Sequence, residues 1–165
     1  GVDIHLGRAN ANKLMFRFLK EAVRDYGARL SSIDGGSLRN AIPREAFAII
    51  TIPGDNVEAL WELVSDYQEM YRSEYKGIEH NINFTAEMTD MPATLIPEEI
   101  QDDLINAIEG CQNGVISMLV DFPGTVESST NLAIVKSSNE MIEIQILVRS
   151  SSESRKEAVL SLIHI

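Results

Sequence analysis

Four segments of the chain carry apolar side chains at every third or fourth position, which is the spacing of a helix that buries one face. Gly27 is placed to end the first helix, Asp55 and Glu58 form a capping box before the second, and Pro97 suits the first turn of the third. The apolar positions of the four stripes are Leu14, Met15, Phe18, Leu19, Ala22 and Tyr26; Val57, Leu60, Trp61, Val64, Tyr67 and Tyr71; Ile100, Leu104, Ala107 and Ile108; and Ala158, Val159, Leu162 and Ile163.

Short segments rich in apolar and β-branched residues lie around these helices and predict strands. They cover residues 2–6, 28–33, 47–52, 80–88, 115–120, 132–135 and 141–148. The last two segments form a predicted hairpin, and the polar cluster Ser128-Ser129-Thr130 before it is interpreted as part of a connection. In the second arm of the hairpin alternate residues face opposite sides, so Leu147 and Arg149 share one side and Ile146 faces the other.

The order of the elements predicts an α+β fold, an antiparallel sheet with helices packed on one face. The first six elements follow the order of a ferredoxin-like β-α-β-β-α-β unit, here residues 1–90. Residues 91–165 resemble it in outline as a truncated second unit, packed with the first as one domain. No strand follows the helix that reaches Ile165, so we expect the sequence to be a piece of a longer protein.

Composition and charge narrow the classes of partner. The 165 residues contain 14 basic and 25 acidic side chains, a net charge of −11 that argues against a nucleic-acid surface. The longest apolar runs have the length of strands, so no membrane association is predicted. A single cysteine, Cys111, excludes an internal disulfide and fits a reducing, cytoplasmic compartment, where a structural thiol is its expected role.

The segment 35–46 is the most distinctive part of the chain. Gly35-Gly36 permits backbone angles that other residues avoid, and Pro43 fixes its own φ before the apolar strand that follows. Arg39, Asn40 and Arg44 stand between the glycines and that strand. A plain connection with solvated polar groups explains them, and a binding turn is the alternative.

No pattern of a complete catalytic site is present in the sequence. His5, His80 and His164 are far apart, none has the spacing of a zinc motif, and the acidic pairs after Pro97 are typical of a solvated helix face. The glycine pair lacks the lysine of a phosphate loop, and no serine or cysteine nucleophile motif occurs. We therefore expect that the chain binds no metal and hydrolyses nothing on its own.

Two stretches carry a resemblance to a known family. The string Gly-Gly-Ser-Leu-Arg-Asn-Ala-Ile-Pro-Arg-Glu-Ala-Phe at residues 35–47 closely resembles a segment of bacterial aminoacyl-histidine dipeptidases, cytosolic non-specific enzymes of the zinc exopeptidase clan. The opening Asp-Ile-His-Leu-Gly-Arg-Ala-Asn-Ala-Asn-Lys-Leu at residues 3–14 is similar to the point where those enzymes enter their lid, or dimerisation, domain. The resemblance implies a lid domain without its catalytic domain.

The same resemblance implies three site residues. His5 stands where clan members carry a lid histidine that holds the substrate carbonyl or oxyanion, and a surface histidine is the alternative. Asn40 matches a substrate-contacting asparagine, or else it caps its own turn. Arg149 resembles an arginine that grips the substrate carboxylate, with Thr130-Asn131-Leu132 upstream as a looser match. Arg39 and Arg44 are interpreted as surface arginines, and the family's metal ligands have no counterpart in this sequence.

The function implied is substrate binding and dimerisation in a zinc-dependent dipeptidase that cleaves aminoacyl-histidine and other dipeptides. The partners implied are a dipeptide substrate, the enzyme's own catalytic domain, which would hold the zinc, and a second copy of the chain. The lid of another zinc exopeptidase or of an aminoacylase is one alternative. A ferredoxin-like module that binds a ligand or only dimerises is another, because one fold hosts many functions.

Overall fold

A computed structural model describes residues 3–164 of the chain, apart from the side chain of His164. The helices are α1 (Ala11–Tyr26), α2 (Val57–Glu74), α3 (Glu98–Gly110) and α4 (Glu153–Ser161). The strands are β1 (Arg29–Gly35), β2 (Ala46–Thr51), β3 (Gly114–Met118), β4 (Val126–Ser137) and β5 (Ile142–Ser150). Three short 3-10 helices cover Ile4–Leu6, Gly54–Asn56 and Leu162–His164. The predicted α+β class is confirmed.

The five strands form one antiparallel sheet built around β4. One edge of β4 pairs with β5 from Ser128 to Ser137. Its other edge pairs with β3 near its beginning and with β1 at its end, and β2 pairs with the far edge of β1. Strands from both halves of the sequence therefore belong to the same sheet.

The core lies between the sheet and helices α1, α2 and α3. Phe16, Leu30 and Leu132 are each fully buried in it. The rings of Phe18, Tyr67, Tyr71 and Phe84 meet mostly edge to face; the Phe18 and Phe84 centroids, for example, are 4.9 Å apart. The removal of these large side chains from water is the main source of stability in this layer.

Two strands predicted at the outside of the first unit are not observed. Residues Ile4–Leu6 form a 3-10 helix that ends at Gly7 with a φ of 65°, and Val2 lies outside the described residues. Residues 80–88 have no regular secondary structure. The Ile82 carbonyl accepts from Arg72 of α2, and the Phe84 N–H donates to Gln68 of α2, so helix side chains take the place of a neighbouring strand.

The polar cluster at residues 128–130 is also placed differently from the prediction. It lies inside β4 and is buried, although it was expected to be a connection. Pairing with β3 and β5 satisfies the backbone on both sides, and the Ser128 and Ser150 hydroxyls are 2.7 Å apart. Buried polar groups are tolerated when hydrogen bonds of this kind are available. The prediction of a connection, which rested on local composition, was therefore wrong because this segment is paired with strands on both sides.

Six apolar residues that were predicted to be buried are exposed, among them the small side chains of Ala107 on α3 and Ala158 on α4. Trp61 and Ile100 are exposed at the margins of α2 and α3. Leu162 and Ile163 are exposed in the short 3-10 helix after α4, where the α-helical spacing that would have turned them inward no longer holds. Of the fourth stripe, Val159 is buried as predicted.

Candidate functional site

A small, open depression lies on the sheet face opposite helices α1, α2 and α3. Leu132 on β4 and its partner Ile146 on β5 pack into the core. The next pair along, Asn131 and Leu147, must face the other way because successive side chains on a strand alternate. The residues that line the depression are Ile4, Asn40, Ile42, Ser129, Asn131, Leu147 and Arg149. Four separate stretches of the sequence thus meet there.

The Gly35-Gly36 pair lets the turn that carries Asn40 lie against β4. Gly36 has a φ of 77°, and a Cβ added to it would stand 1.9 Å from the carbonyl oxygen of Ala133. A Cβ on Gly35 would stand 1.7 Å from Oδ1 of Asn12. Both positions therefore require glycine, for backbone angle and space at Gly36 and for space at Gly35. The distinctive glycines of the sequence build the site without touching a ligand.

Two hydrogen bonds hold the same turn from opposite sides. The carbonyl of Pro43 accepts from the N–H of Ala11 at the start of α1, at 3.0 Å. The side-chain Nδ2 of Asn131 donates to the carbonyl of Ala41, at 2.8 Å. Asn40 therefore extends from a segment that is fixed to both the helix layer and the central strand. A fixed backbone of this kind lowers the entropy that an ordered contact with a ligand would cost.

Arg149 brings a positive charge to the rim of the depression. It lies opposite Ser129 in the β4–β5 pairing, and its side chain is exposed. Within residues 3–164 no carboxylate forms an ion pair with it. Glu127, which lines an adjoining depression with Arg149, is paired with Arg155 and accepts a hydrogen bond from Ser117. The carboxylate of Glu127 thus already has partners of its own, and the guanidinium of Arg149 can bind an anionic ligand.

The three residues predicted from the resemblance are only partly brought together. Asn40 and Arg149 line the same depression although 108 residues lie between them in the sequence. His5 is exposed and directly follows Ile4, which lines the depression, but His5 itself does not line it. Arg39 and Arg44 are exposed and do not line it either.

Sequence reasoning did not predict a site role for Ser129, Asn131, Ile4 or Leu147. The polar run that contains Asn131 lies between two apolar segments. This pattern indicates a special role for Asn131 once the run is known to lie within a strand. Metal binding finds no support in the described part of the chain, where no group of three or more His, Cys, Asp or Glu could hold an ion. None of the helices in residues 3–164 is both long and apolar enough to cross a membrane.

Comparison with known proteins shows what this chain is similar to. Residues 1–79 match the peptidase dimerisation domain family. Over 163 residues, 99% of the chain, the sequence is 37% identical to the cytosol non-specific dipeptidase of Escherichia coli strain K12. The crystal structure of an aminoacylhistidine dipeptidase from Vibrio alginolyticus covers 98% of the chain with a TM-score of 0.95 and 36% identity.

The match is confined to one part of those proteins. The chain spans 34% of the Escherichia coli enzyme and 33% of the Vibrio alginolyticus chain, about a third of each. The resemblance to the dimerisation domain of the aminoacyl-histidine dipeptidases, predicted from two motifs, is thereby confirmed.

Proposed function

We propose that this chain is the lid of a zinc-dependent dipeptidase, a domain that binds the substrate and joins two subunits. The observation that carries the proposal is the meeting of Asn40 and Arg149 at one depression, beside the segment that bears His5. The names of the two relatives, a non-specific and an aminoacylhistidine dipeptidase, support dipeptides, Xaa-His among them, as the substrate class. The word cytosol in the first name supports a cytoplasmic location.

Each site residue has a distinct task in this proposal. A dipeptide carries a terminal carboxylate, which the guanidinium of Arg149, without an ion pair among residues 3–164, can bind with two parallel hydrogen bonds. Asn40 supplies an amide that can contact the peptide from the turn. His5 donates to the carbonyl oxygen as it gains negative charge. Ile42 and Leu147 offer apolar surface to the substrate side chain.

Zinc belongs, in this proposal, to a catalytic domain of the longer protein. The described residues do not provide a ligand set, so no step is assigned to a metal on this chain. When bound in such a domain, zinc polarises the scissile carbonyl and activates water. The lid contributes binding and orientation, and we propose that the chain by itself hydrolyses no dipeptide.

The second task of the lid is dimerisation, and β2 is the surface that we assign to it. β2 is the outer strand next to β1, and its other edge, which pairs with no strand in the described part of the chain, can extend the sheet into a second copy. Phe47 and Ile49 are exposed on its outer face, at 62% and 41% of their surface. Neighbouring apolar groups of this size on an unpaired strand are typical of a contact surface.

Kinetics of alanine variants in the full-length protein test the substrate-binding role. Arg149→Ala removes a contact made in both the ground state and the transition state, so KM should rise at least as clearly as kcat falls. His5→Ala removes a donor to the developing oxyanion, so kcat should fall by roughly a hundredfold. Asn40→Ala should affect both constants.

Arg39→Ala is the matched control, because Arg39 precedes Asn40 in the same turn but does not line the depression. Its kcat and KM should remain close to those of the parent. Normal kinetics in both His5→Ala and Arg149→Ala would contradict the proposed function. So would a fall in melting temperature that alone accounts for the lost activity.

A further inference from the structure

Asn131 is a buried amide in the middle of the central strand. Only 6% of its surface is exposed, and both neighbours of β4 pair with the backbone around it. An apolar residue would suit such a place better, because a buried polar group costs free energy unless its hydrogen bonds are made. A structural role alone requires both ends of the amide to be satisfied.

Only one end of that amide has a partner. Nδ2 donates to the carbonyl of Ala41 at 2.8 Å, which fixes the orientation of the group because a carbonyl can accept only from the nitrogen end. Oδ1 is buried, and it has no hydrogen-bond partner in the described part of the chain. The amide is thus held with an unused acceptor at the depression that Arg149 also lines.

The space at this oxygen restricts what can reach it. The depression has an inner volume of about 10 Å³, enough for one small group. Oδ1 can only accept, so the group must be a donor such as an N–H. Leu147 is the pairing partner of Asn131, and Arg149 follows two residues later on β5. The long side chain of Arg149 can therefore hold an anionic group of the same ligand whose donor reaches Asn131.

We propose that Asn131 determines specificity by accepting the N–H next to a carboxylate that Arg149 holds. The ligand class is the unit –CO–NH–CHR–COO⁻, the C-terminal residue of a peptide or an N-acyl amino acid. The inference rests on the proposed function and deepens it. A ligand that has an ester oxygen in place of the N–H leaves the buried acceptor unsatisfied, and a site of this kind discriminates strongly against such an analogue.

Competitive inhibition of the full-length protein by two matched acids tests the inference. N-acetyl-L-alanine and O-acetyl-L-lactate differ at one position, where the first has the N–H that Asn131 is proposed to bind and the second has an ester oxygen. The parent protein should bind the first about 10- to 100-fold more tightly. Asn131→Ala should bring the ratio of the two inhibition constants close to one. Asn131→Asp, which keeps an acceptor but loses the donor to Ala41, should preserve most of the ratio.

Arg149→Ala is the control that separates the two proposals. It should weaken both acids by the same factor and leave their ratio unchanged, because each acid carries the same carboxylate. Equal inhibition of the parent protein by both acids would overturn the role of Asn131, even where Asn131→Ala fails to fold. If both Asn131→Asp and Asn131→Ala brought the ratio of the two inhibition constants close to one, Asn131 would have only a structural role, through its hydrogen bond to Ala41. No effect of Arg149→Ala on either acid, or no inhibition by either, would overturn the substrate site itself.

Discussion

Gly36 and Ala133 approach each other so closely that no side chain fits between them. A Cβ on Gly36 would be 1.9 Å from the Ala133 carbonyl oxygen, well inside any van der Waals contact. This approach joins the end of β1 to the middle of β4, and it places the turn with Asn40 beside the strand with Asn131. The contact between two main chains is thus a condition for the depression to exist.

Gly36→Ala should therefore destabilise the fold strongly. The φ of 77° costs roughly 1 kcal/mol for a residue with a Cβ, and the clash adds to it, so we expect a total of at least about 3 kcal/mol. Gly124→Ala is the matched control, with a φ of 84° and no atom within 4 Å of the added Cβ. Urea unfolding of both variants separates the free-energy cost of the positive φ from the cost of the clash with Ala133. A loss in Gly36→Ala no larger than in Gly124→Ala would contradict the contact.

Lys13 lies on α1 and should stabilise the C-terminal end of α3, which is far from it in the sequence. Its Nζ donates to the carbonyls of Ile108, Glu109 and Cys111 at 2.7, 3.0 and 2.9 Å. A cation at a helix C-terminus also interacts favourably with the helix dipole. Lys13→Met should lower the free energy of unfolding by about 1–3 kcal/mol. Lys20→Met, at an exposed position of the same helix, should change it by less than about 0.5 kcal/mol.

Cys111 should react slowly with thiol reagents. Burial raises the pKa of its thiol, and the nearby charge of Lys13 opposes that shift. The thiolate is the reactive form, so iodoacetamide modification at pH 7 should be slower than that of free cysteine and should continue to accelerate above the ordinary pKa. Lys13→Met should raise the pKa further and slow the reaction again. A rate at pH 7 equal to that of free cysteine would argue against burial of the thiol.

Phe47→Glu should disrupt dimers if β2 is the contact surface. A charge in the contact costs free energy, whereas on an exposed strand of a monomer it has little effect. Sedimentation across a concentration series should give dimers for the parent chain and monomers for Phe47→Glu. Leu38→Glu introduces the same charge at an apolar residue 60% exposed in the turn, and it should leave the dimer intact. Parent chains that remain monomeric at every concentration would count against the surface.

Local periodicity was sufficient for the helices and for the class of fold. The stripe from Leu14 to Tyr26 and the stop at Gly27 predicted α1, which runs from Ala11 to Tyr26. Helices with an amphipathic stripe and a glycine stop are determined by neighbouring residues, so a linear pattern contains the needed information. The motif around Gly35-Gly36 and Pro43 likewise predicted the similarity to the dipeptidases that the comparisons found.

Only the tertiary structure decided which polar groups belong to strands and which residues share a site. The run from Ser128 to Asn131 has the composition of a loop, yet strand neighbours on both sides bury it in β4. The segment 80–88 has the alternation of a strand, yet side chains of α2 take its backbone hydrogen bonds.

The same holds for the depression itself. The hairpin of β4 and β5 and the glycine pair were both visible in the sequence, but the approach of Gly36 to Ala133, which brings Asn40 to Arg149, was not. Hydrogen bonds and packing between segments far apart in the chain depend on which surfaces meet, and no window of neighbouring residues contains that information.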